Sequence, residues 1–233
     1  MGCFPGDSVV TTGAGVKKPM KDLRVGESVL ALSADGMLRP SEVLLFLDRS
    51  ETARTEYVTL VTDAGKSITA TPTHLVLRWE KPERSQIRHA NPVYAKSVRV
   101  NDTLLTVVDG SGGKLRLRTE RVVAVSRTQK AGLYAPLTVD GTVVVDDVVA
   151  SCYAVIDSHW LAHLAFLPVR AMAAARASLY GLVWRLGHPL QDAPPSSSRP
   201  ADAVKPADGI HWYPRMLYAI SDYAIPASWM DTH

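Results

Sequence analysis

The chain has 233 residues, a formal net charge of +3, and 46% hydrophobic against 21% charged residues, which fits one large globular domain or a domain with an appendage. Lys and Arg are scattered rather than clustered, so nucleic acid is not expected as a partner. Two cysteines are too few for a disulfide framework, and no basic start followed by an apolar run marks a signal peptide, although Met1 stands like a start codon before an internal junction.

From Ser8 to about Ile156 the chain reads as strands and turns. The runs SVLAL, EVLLFLD, YVTLVT, SITAT, HLVLRW, TLLTVV, RVVAVS and TVVVDDVVASCYAV alternate with turn pairs such as Asp35-Gly36, Ala64-Gly65, Asp109-Gly110 and Asp140-Gly141. This spacing predicts an all-β domain. An internal repeat narrows the fold further. Lys21-Asp22-Leu23-Arg24-Val25-Gly26-Glu27-Ser28-Val29-Leu30 is echoed by Lys96-Ser97-Val98-Arg99-Val100-Asn101-Asp102-Thr103-Leu104-Leu105. The segment Ser41 to Arg49 matches Thr119 to Arg127, so that Asp48 corresponds to Ser126, and Leu60 to Gly65 matches Leu137 to Gly141. Two copies of one β unit predict a pseudo-two-fold fold. Only the first copy carries Thr71-Pro72-Thr73-His74, so one half is expected to be active and the other structural.

Past Tyr153 the composition changes. Residues 156–186 are rich in Ala and Leu and are expected to be helical, with His159, His163, Arg170, Ser178 and Arg185 on one face. Pro168 should break or kink that helix, and the interspersed charges rule against an ordinary membrane span. Residues 187–208, with five prolines and a Ser196-Ser197-Ser198 run, read as a flexible linker. An aromatic tail, residues 209–233, follows. The domain reading is therefore 1–155 for the β domain and 156–233 for the rest.

Four residues could carry chemistry. Cys3 follows Gly2, whose carbonyl is unhindered and whose backbone tolerates distortion. A thiol there can attack that carbonyl in an N-to-S shift, giving a thioester and a free amine. The shift is uphill, so it needs a strained peptide, a proton for the nitrogen and a trap for the thioester. His74 can supply the proton, a task suited to a group titrating near neutrality. Thr71, three residues earlier, can hydrogen-bond the scissile amide. A lone histidine in a β domain is more often a structural one satisfied by backbone. Asp48 ends the apolar run Leu44-Leu45-Phe46-Leu47 and precedes Arg49. Ordinarily it would be a solvated turn carboxylate paired with that arginine. Against an apolar wall it would titrate high and serve as a general base, which an alcohol acceptor requires.

Taken together, Gly2-Cys3-Phe4-Pro5-Gly6, Leu45 to Arg49, Thr71-Pro72-Thr73-His74-Leu75, Ala135-Pro136-Leu137-Thr138, Ala150 to Val155 and Gly209-Ile210-His211-Trp212-Tyr213 resemble the hedgehog autoprocessing domain, part of the wider Hint family shared with inteins. The resemblance covers nearly the whole chain. It implies the Hint fold, with Cys3 as nucleophile, His74 and Thr71 activating the Gly2–Cys3 amide, and Asp48 as base for a sterol hydroxyl. It also implies cholesterol as acceptor, a sterol-recognition region from about Ile156, an upstream signalling domain in cis, and work at a membrane surface in the endoplasmic reticulum. With only Met1-Gly2 upstream, the natural acyl donor is absent from this sequence. Cys152 is ordinarily a small buried hydrophobe. In an oxidising lumen, with the second half of the fold returning to the first, it is expected within about 4.4–6.8 Å of Cys3, Cα to Cα, as a reversible disulfide partner.

Three rival readings compete. Protein splicing shares the N-to-S step but needs a terminal His-Asn, whereas this sequence ends Met230-Asp231-Thr232-His233. A non-catalytic sterol- or lipid-binding module would account for the apolar helical region and make the Gly-Cys junction coincidental. A zinc site at Cys3, Asp48 and His74 has suitable donors but no local ligand spacing, so zinc is expected as an inhibitor rather than a cofactor.

Overall fold

The computed structural model describes residues 2–79 and 90–153, together with the single positions 171, 175, 178 and 209. Its strands in chain order are β1 (Val9–Thr11), β2 (Lys17–Pro19), β3 (Ser28–Leu32), β4 (Leu38–Thr62), β5 (Ser67–Ala70), β6 (Leu75–Trp79), β7 (Ala90–Tyr94), β8 (Thr103–Asp109), β9 (Leu115–Thr138), β10 (Thr142–Val145) and β11 (Val148–Ser151). They join in one hydrogen-bonded system with path β2-β1-β10-β11-β6-β8-β9-β4-β3, β5 on β4 and β7 on β6. The expected all-β class is what the described residues form. Ala171, Ala175 and Ser178 are helical and exposed; the remainder of the expected helix, linker and aromatic tail lies outside the described residues.

The apolar runs read from the sequence fall on strands, because their alternation puts one side of each strand into the core. One run differs. Thr142 to Val155, read as continuous, folds back on itself. Asp146 and Asp147 take φ of 51° and 63°, and Val145 pairs with Val148. Two successive left-handed residues form the tight reverse turn whose twist suits a hairpin. The long polar middles of β4 and β9, around Glu51–Glu56 and Arg127–Leu133, escaped the pattern for another reason. Their side chains are mostly exposed, and the ladder Arg54↔Ala131 through Val58↔Arg127 holds them by backbone.

The repeat is real in three dimensions, with one correction: backbone bonding matches Val43 and Leu44 to Val122 and Val123, one residue on from the Ser41–Thr119 alignment read in the sequence. Short 3-10 turns at Met20–Asp22 and Ala95–Ser97 close with matching bonds, Leu23 N–H to Met20 O at 3.2 Å and Val98 N–H to Ala95 O at 3.3 Å. Gly26 and Asn101 then adopt φ of 87° and 77° and donate to the carbonyls of Val43 and Val122. Those valines donate back to Glu27 and Asp102 at 2.8 and 2.7 Å. The two long strands β4 and β9 pair with each other antiparallel, and each half adds its own hairpin partner, β3 on β4 and β8 on β9. The first half's bulge at Leu44, between Val43↔Thr138 and Leu45↔Leu137, has its counterpart at Val123, between Val61↔Ala124 and Thr62↔Val122.

The symmetry breaks at Leu47-Asp48. Phe46 pairs with Pro136 and Arg49 with Tyr134, so Leu47 and Asp48 together face the single residue Ala135. In the second half Val125, Ser126 and Arg127 pair without interruption to Leu60, Thr59 and Val58. The first copy therefore carries an extra residue in a second bulge, and Asp48 sits in it. A bulge bends the strand and re-aims a side chain.

Candidate active site

The N-terminal residues thread between the two halves as an added strand. Cys3 O accepts from Thr71 N–H at 2.9 Å. One residue on, Phe4 exchanges both backbone bonds with Tyr134 of β9, at 2.8 and 3.0 Å. The junction is thus clamped from both sides, and Cys3, 1% exposed, lies in the main apolar core with Phe4, Phe46, Leu47, Tyr134 and Ala135.

Thr71 stands where the sequence reading put it. The amide N–H of Cys3 donates to Thr71 Oγ1 at 2.9 Å, so the threonine hydroxyl grips the nitrogen of the Gly2–Cys3 bond itself. The segment Thr71-Pro72-Thr73-His74 is a reverse turn closed by His74 N–H to Thr71 O at 2.9 Å, with proline at the position that favours its fixed φ. That turn presents Thr71 and His74 to the same peptide.

His74 is 1% exposed and packs its ring against Phe4, centroids 4.1 Å apart. Neither ring nitrogen makes a hydrogen bond of good geometry. The backbone of Gly2 and of Ser151 is nevertheless close enough to favour the charged ring. Burial outweighs that help and pushes the imidazole down to about 4. The expectation of a histidine titrating near neutrality is therefore corrected: a buried cation without a counter-charge costs too much, and His74 is neutral at pH 7. Burial first, and then the charge of Asp48, push the Cys3 thiol up to about 12. The thiol rests protonated.

Asp48 is close enough to Cys3 to act on it electrostatically. It is half-buried inside β4 rather than in a solvated turn. Arg49, 6% exposed, gives its guanidinium to the carbonyls of Leu23 at 2.9 Å and Lys21 at 2.6 Å. It also lies over the rings of Phe46 and Tyr134, at 4.7 and 5.2 Å. An open cavity beside it is walled by Lys18, Lys21, Asp22, Arg24 and Arg49, a charged lining unsuited to an apolar ring system.

Cys3 and Cys152 share one core cluster, and both are free thiols. Cys152 Sγ lies 3.6 Å from the Thr138 hydroxyl, and burial pushes its thiol up to about 11. One expectation is revised: Cys3, Asp48 and His74 do not form a metal cage, since among the described residues no group of three such side chains could hold a metal ion. Sequence reasoning missed Phe4, Tyr134 and the Ser151 carbonyl, whose parts in the site come from pairing between distant segments and leave no local signal.

Comparison with known proteins bears on family and fold. The Hint module family model matches residues 1–226. The chain is 38% identical over 228 residues to protein hedgehog of Drosophila melanogaster and 37% identical over 228 residues to that of Drosophila yakuba. Both alignments take in 98% of this chain but only 45% and 46% of those proteins, so the chain spans less than half the length of these relatives. A variant of the Ssp DnaB mini-intein superposes with a TM-score of 0.52 at 18% identity, covering 64% of this chain and 92% of that one. An intein from a hyperthermophile also reaches 0.52, at 13% identity, over 65% of this chain and 99% of that one. At such identities the structural likeness is one of fold.

Proposed function

Because the chain belongs to the Hint family and is homologous to part of the hedgehog proteins, we propose that it cleaves its own Gly2–Cys3 bond and passes the upstream acyl group to a sterol. The observation that carries this reading is the Thr71 hydroxyl on the scissile nitrogen, with the His74 ring beside Gly2. In the first step neutral His74 takes the thiol proton as Cys3 Sγ adds to the Gly2 carbonyl carbon. The C–N bond breaks, and the same proton passes to the departing nitrogen of Cys3. The products are a thioester on Cys3 and a free amine. A thiol held near 12 keeps the nucleophile silent until the proton can move.

In the second step Asp48 takes the proton of a sterol hydroxyl, whose oxygen attacks the thioester. The C–S bond breaks, the leaving sulfur takes up the proton that Asp48 received so that Cys3 recovers its thiol, and Gly2 leaves as an ester. Cholesterol is the acceptor by resemblance, with residues 156–233 as its recognition region at a membrane surface of the endoplasmic reticulum. The upstream partner is a signalling domain in cis that leaves by the secretory pathway.

The test is a fusion of a reporter before Gly2, followed by mass spectrometry with dithiothreitol, with cholesterol, or with neither. Thiol should release the reporter and cholesterol should leave it heavier by one esterified sterol. Cys3→Ala should do neither. Asp48→Ala should retain thiol release to within about twofold while sterol transfer falls by about 100-fold, in the range of a lost general base. Release from the alanine variant of Cys3 at the unaltered rate would end the thioester mechanism.

A further inference from the structure

The cavity beside Arg49 repels an apolar ring system, and its lining suits a ligand of another kind. It is open, about 370 Å³ in volume, and sets Lys18, Lys21, Arg24 and Arg49 around one carboxylate, Asp22. Glu27 already engages Lys18, at 2.7 and 2.8 Å. Among the described residues, Lys21, Arg24 and Arg49 have no carboxylate within ion-pair distance. Arg49 stands out because it is buried. Its guanidinium meets the Leu23 and Lys21 carbonyls and two ring faces, contacts that hold the charge in place without cancelling it. A buried cation is stabilised when an opposite charge reaches it.

The second copy of the repeat shows the same frame without this excess of charge. Lys96 and Arg99 stand for Lys21 and Arg24, and Val93 stands where Lys18 would recur. Asp102 accepts from the Arg99 N–H at 2.8 Å, as Glu27 accepts from the Arg24 N–H at 2.8 Å. Arg127 pairs with Val58 as Arg49 pairs with Tyr134. The side chains then part. Arg127 is exposed and meets Glu56 at 2.9 Å, so its charge is matched. With no arginine arriving from the long strand, Arg99 turns back onto the Lys96 carbonyl at 3.0 Å. In the first copy Arg49 holds the corresponding Lys21 carbonyl, and Arg24 is left to line the cavity.

We propose that this cavity is a phosphate site, in which Lys21, Arg24 and Arg49 hold a phosphate monoester. The cations come from separate elements, the turn at Met20–Asp22, the residue Arg24 after it, and β4. They reach a ligand from different sides, which suits a tetrahedral anion better than a flat carboxylate. A monoester also carries about −1.5 to −2 charges at pH 7, enough to answer more than one cation. A polymer of phosphodiesters would need a longer basic track than these residues provide. Lipid headgroups and small soluble phosphates share this chemistry. The proposal is independent of the acceptor assigned above.

The test titrates the full chain with sodium phosphate at constant ionic strength, with chloride as reference, and follows the amide signals of Lys21, Arg24 and Arg49 by NMR. A parallel arm measures co-flotation with phosphatidylcholine vesicles made with and without phosphatidic acid. Phosphate should shift these signals saturably and chloride should not. The double variant Lys21→Gln, Arg24→Gln should weaken binding by about 10-fold or more. Lys96→Gln with Arg99→Gln removes the same charge from the other copy and should stay within about twofold. All four side chains are exposed, so neither change threatens the fold. Co-flotation that needs phosphatidic acid and is lost only in the first double variant identifies a lipid headgroup. Saturation by phosphate without such co-flotation identifies a soluble phosphate. Equal loss in both double variants would refute the site, since diffuse attraction between charges would then explain the binding. So would the absence of both a saturable shift and site-dependent co-flotation.

Discussion

The smallest feature on which the site depends is a single hydroxyl. Thr71 Oγ1 is the acceptor for the buried Cys3 N–H, and a buried donor stripped of its partner costs about 1–3 kcal/mol. Thr71→Val should therefore lower stability in urea by that amount and slow thiol release by about 10-fold or more, whereas Thr71→Ser should restore both. A valine variant that cleaves at full rate would show that the grip on the amide is idle. His74 gives a second test through pH. Its folded value, about 4, lies below the ordinary value of about 6.5, so the unfolded chain binds the proton first. The contribution is fully present above about 6.5 and is lost as pH falls from there towards 4. Between pH 7 and pH 5 this should cost on the order of 2 kcal/mol that a His74→Gln variant does not lose. Urea melts of both proteins at the two pH values measure it, and parallel losses would mean that the ring titrates normally.

At the scale of the element, the two copies use one turn with different residues. Gly26 and Asn101 hold the same left-handed conformation and make the same bond to a following strand, yet only one lacks a Cβ. Nothing lies within 4 Å of a Cβ on Gly26, so Gly26→Ala should cost about 1–2 kcal/mol by backbone strain alone. Asn101→Gly should stay within about 0.5 kcal/mol of the parent, since that exposed position is already tolerated. Denaturant midpoints would compare them, and an equal cost at both would contradict the conformational explanation. The bulge shows the opposite relation between copies. Leu44 and Val123 are matching insertions, but the extra residue at Leu47-Asp48 has no counterpart beyond an uninterrupted Ser126. One added residue sets Asp48 in a bulge of the first half, within electrostatic reach of Cys3, where the second half pairs without interruption. The repeat thereby supplies both the scaffold and, where it fails, the site.

For the whole molecule, the β unit closes on itself by β11, whose end returns to the N-terminal strand through His74, Gly2 and Ser151. The core cluster that holds Cys3 also holds Cys152 and Tyr153, at the end of the continuously described β domain. A chain ended near Ile156 should fold cooperatively and release a reporter with thiol at a rate within about twofold of the parent, because distant sites act nearly independently. Sterol transfer should be lost. Circular dichroism, thermal melting and mass spectra of the released reporter would check all three, and sterol transfer by the shortened chain would place the acceptor site inside the β domain.

Short-range pattern was enough for much of this protein. Alternating Val, Leu and Ile with turn glycines marked the apolar strands, because burial of one face is written locally with a period of two. Similarity between Lys21–Leu30 and Lys96–Leu105 disclosed the duplicated unit, and Gly2-Cys3 with Thr71 and His74 marked the candidate chemistry. Tertiary structure decided what depends on partners distant in the chain. The Asp146-Asp147 hairpin divided a run that looked continuous, and the polar spans of β4 and β9 became strands only because each had the other to pair with. Burial, which no local pattern reports, turned His74 from a near-neutral acid into a neutral imidazole. The bulge at Asp48 and the pairing of Arg49 with Gly209 are matters of register between segments, set by backbone hydrogen bonds that every residue can make and no side chain announces.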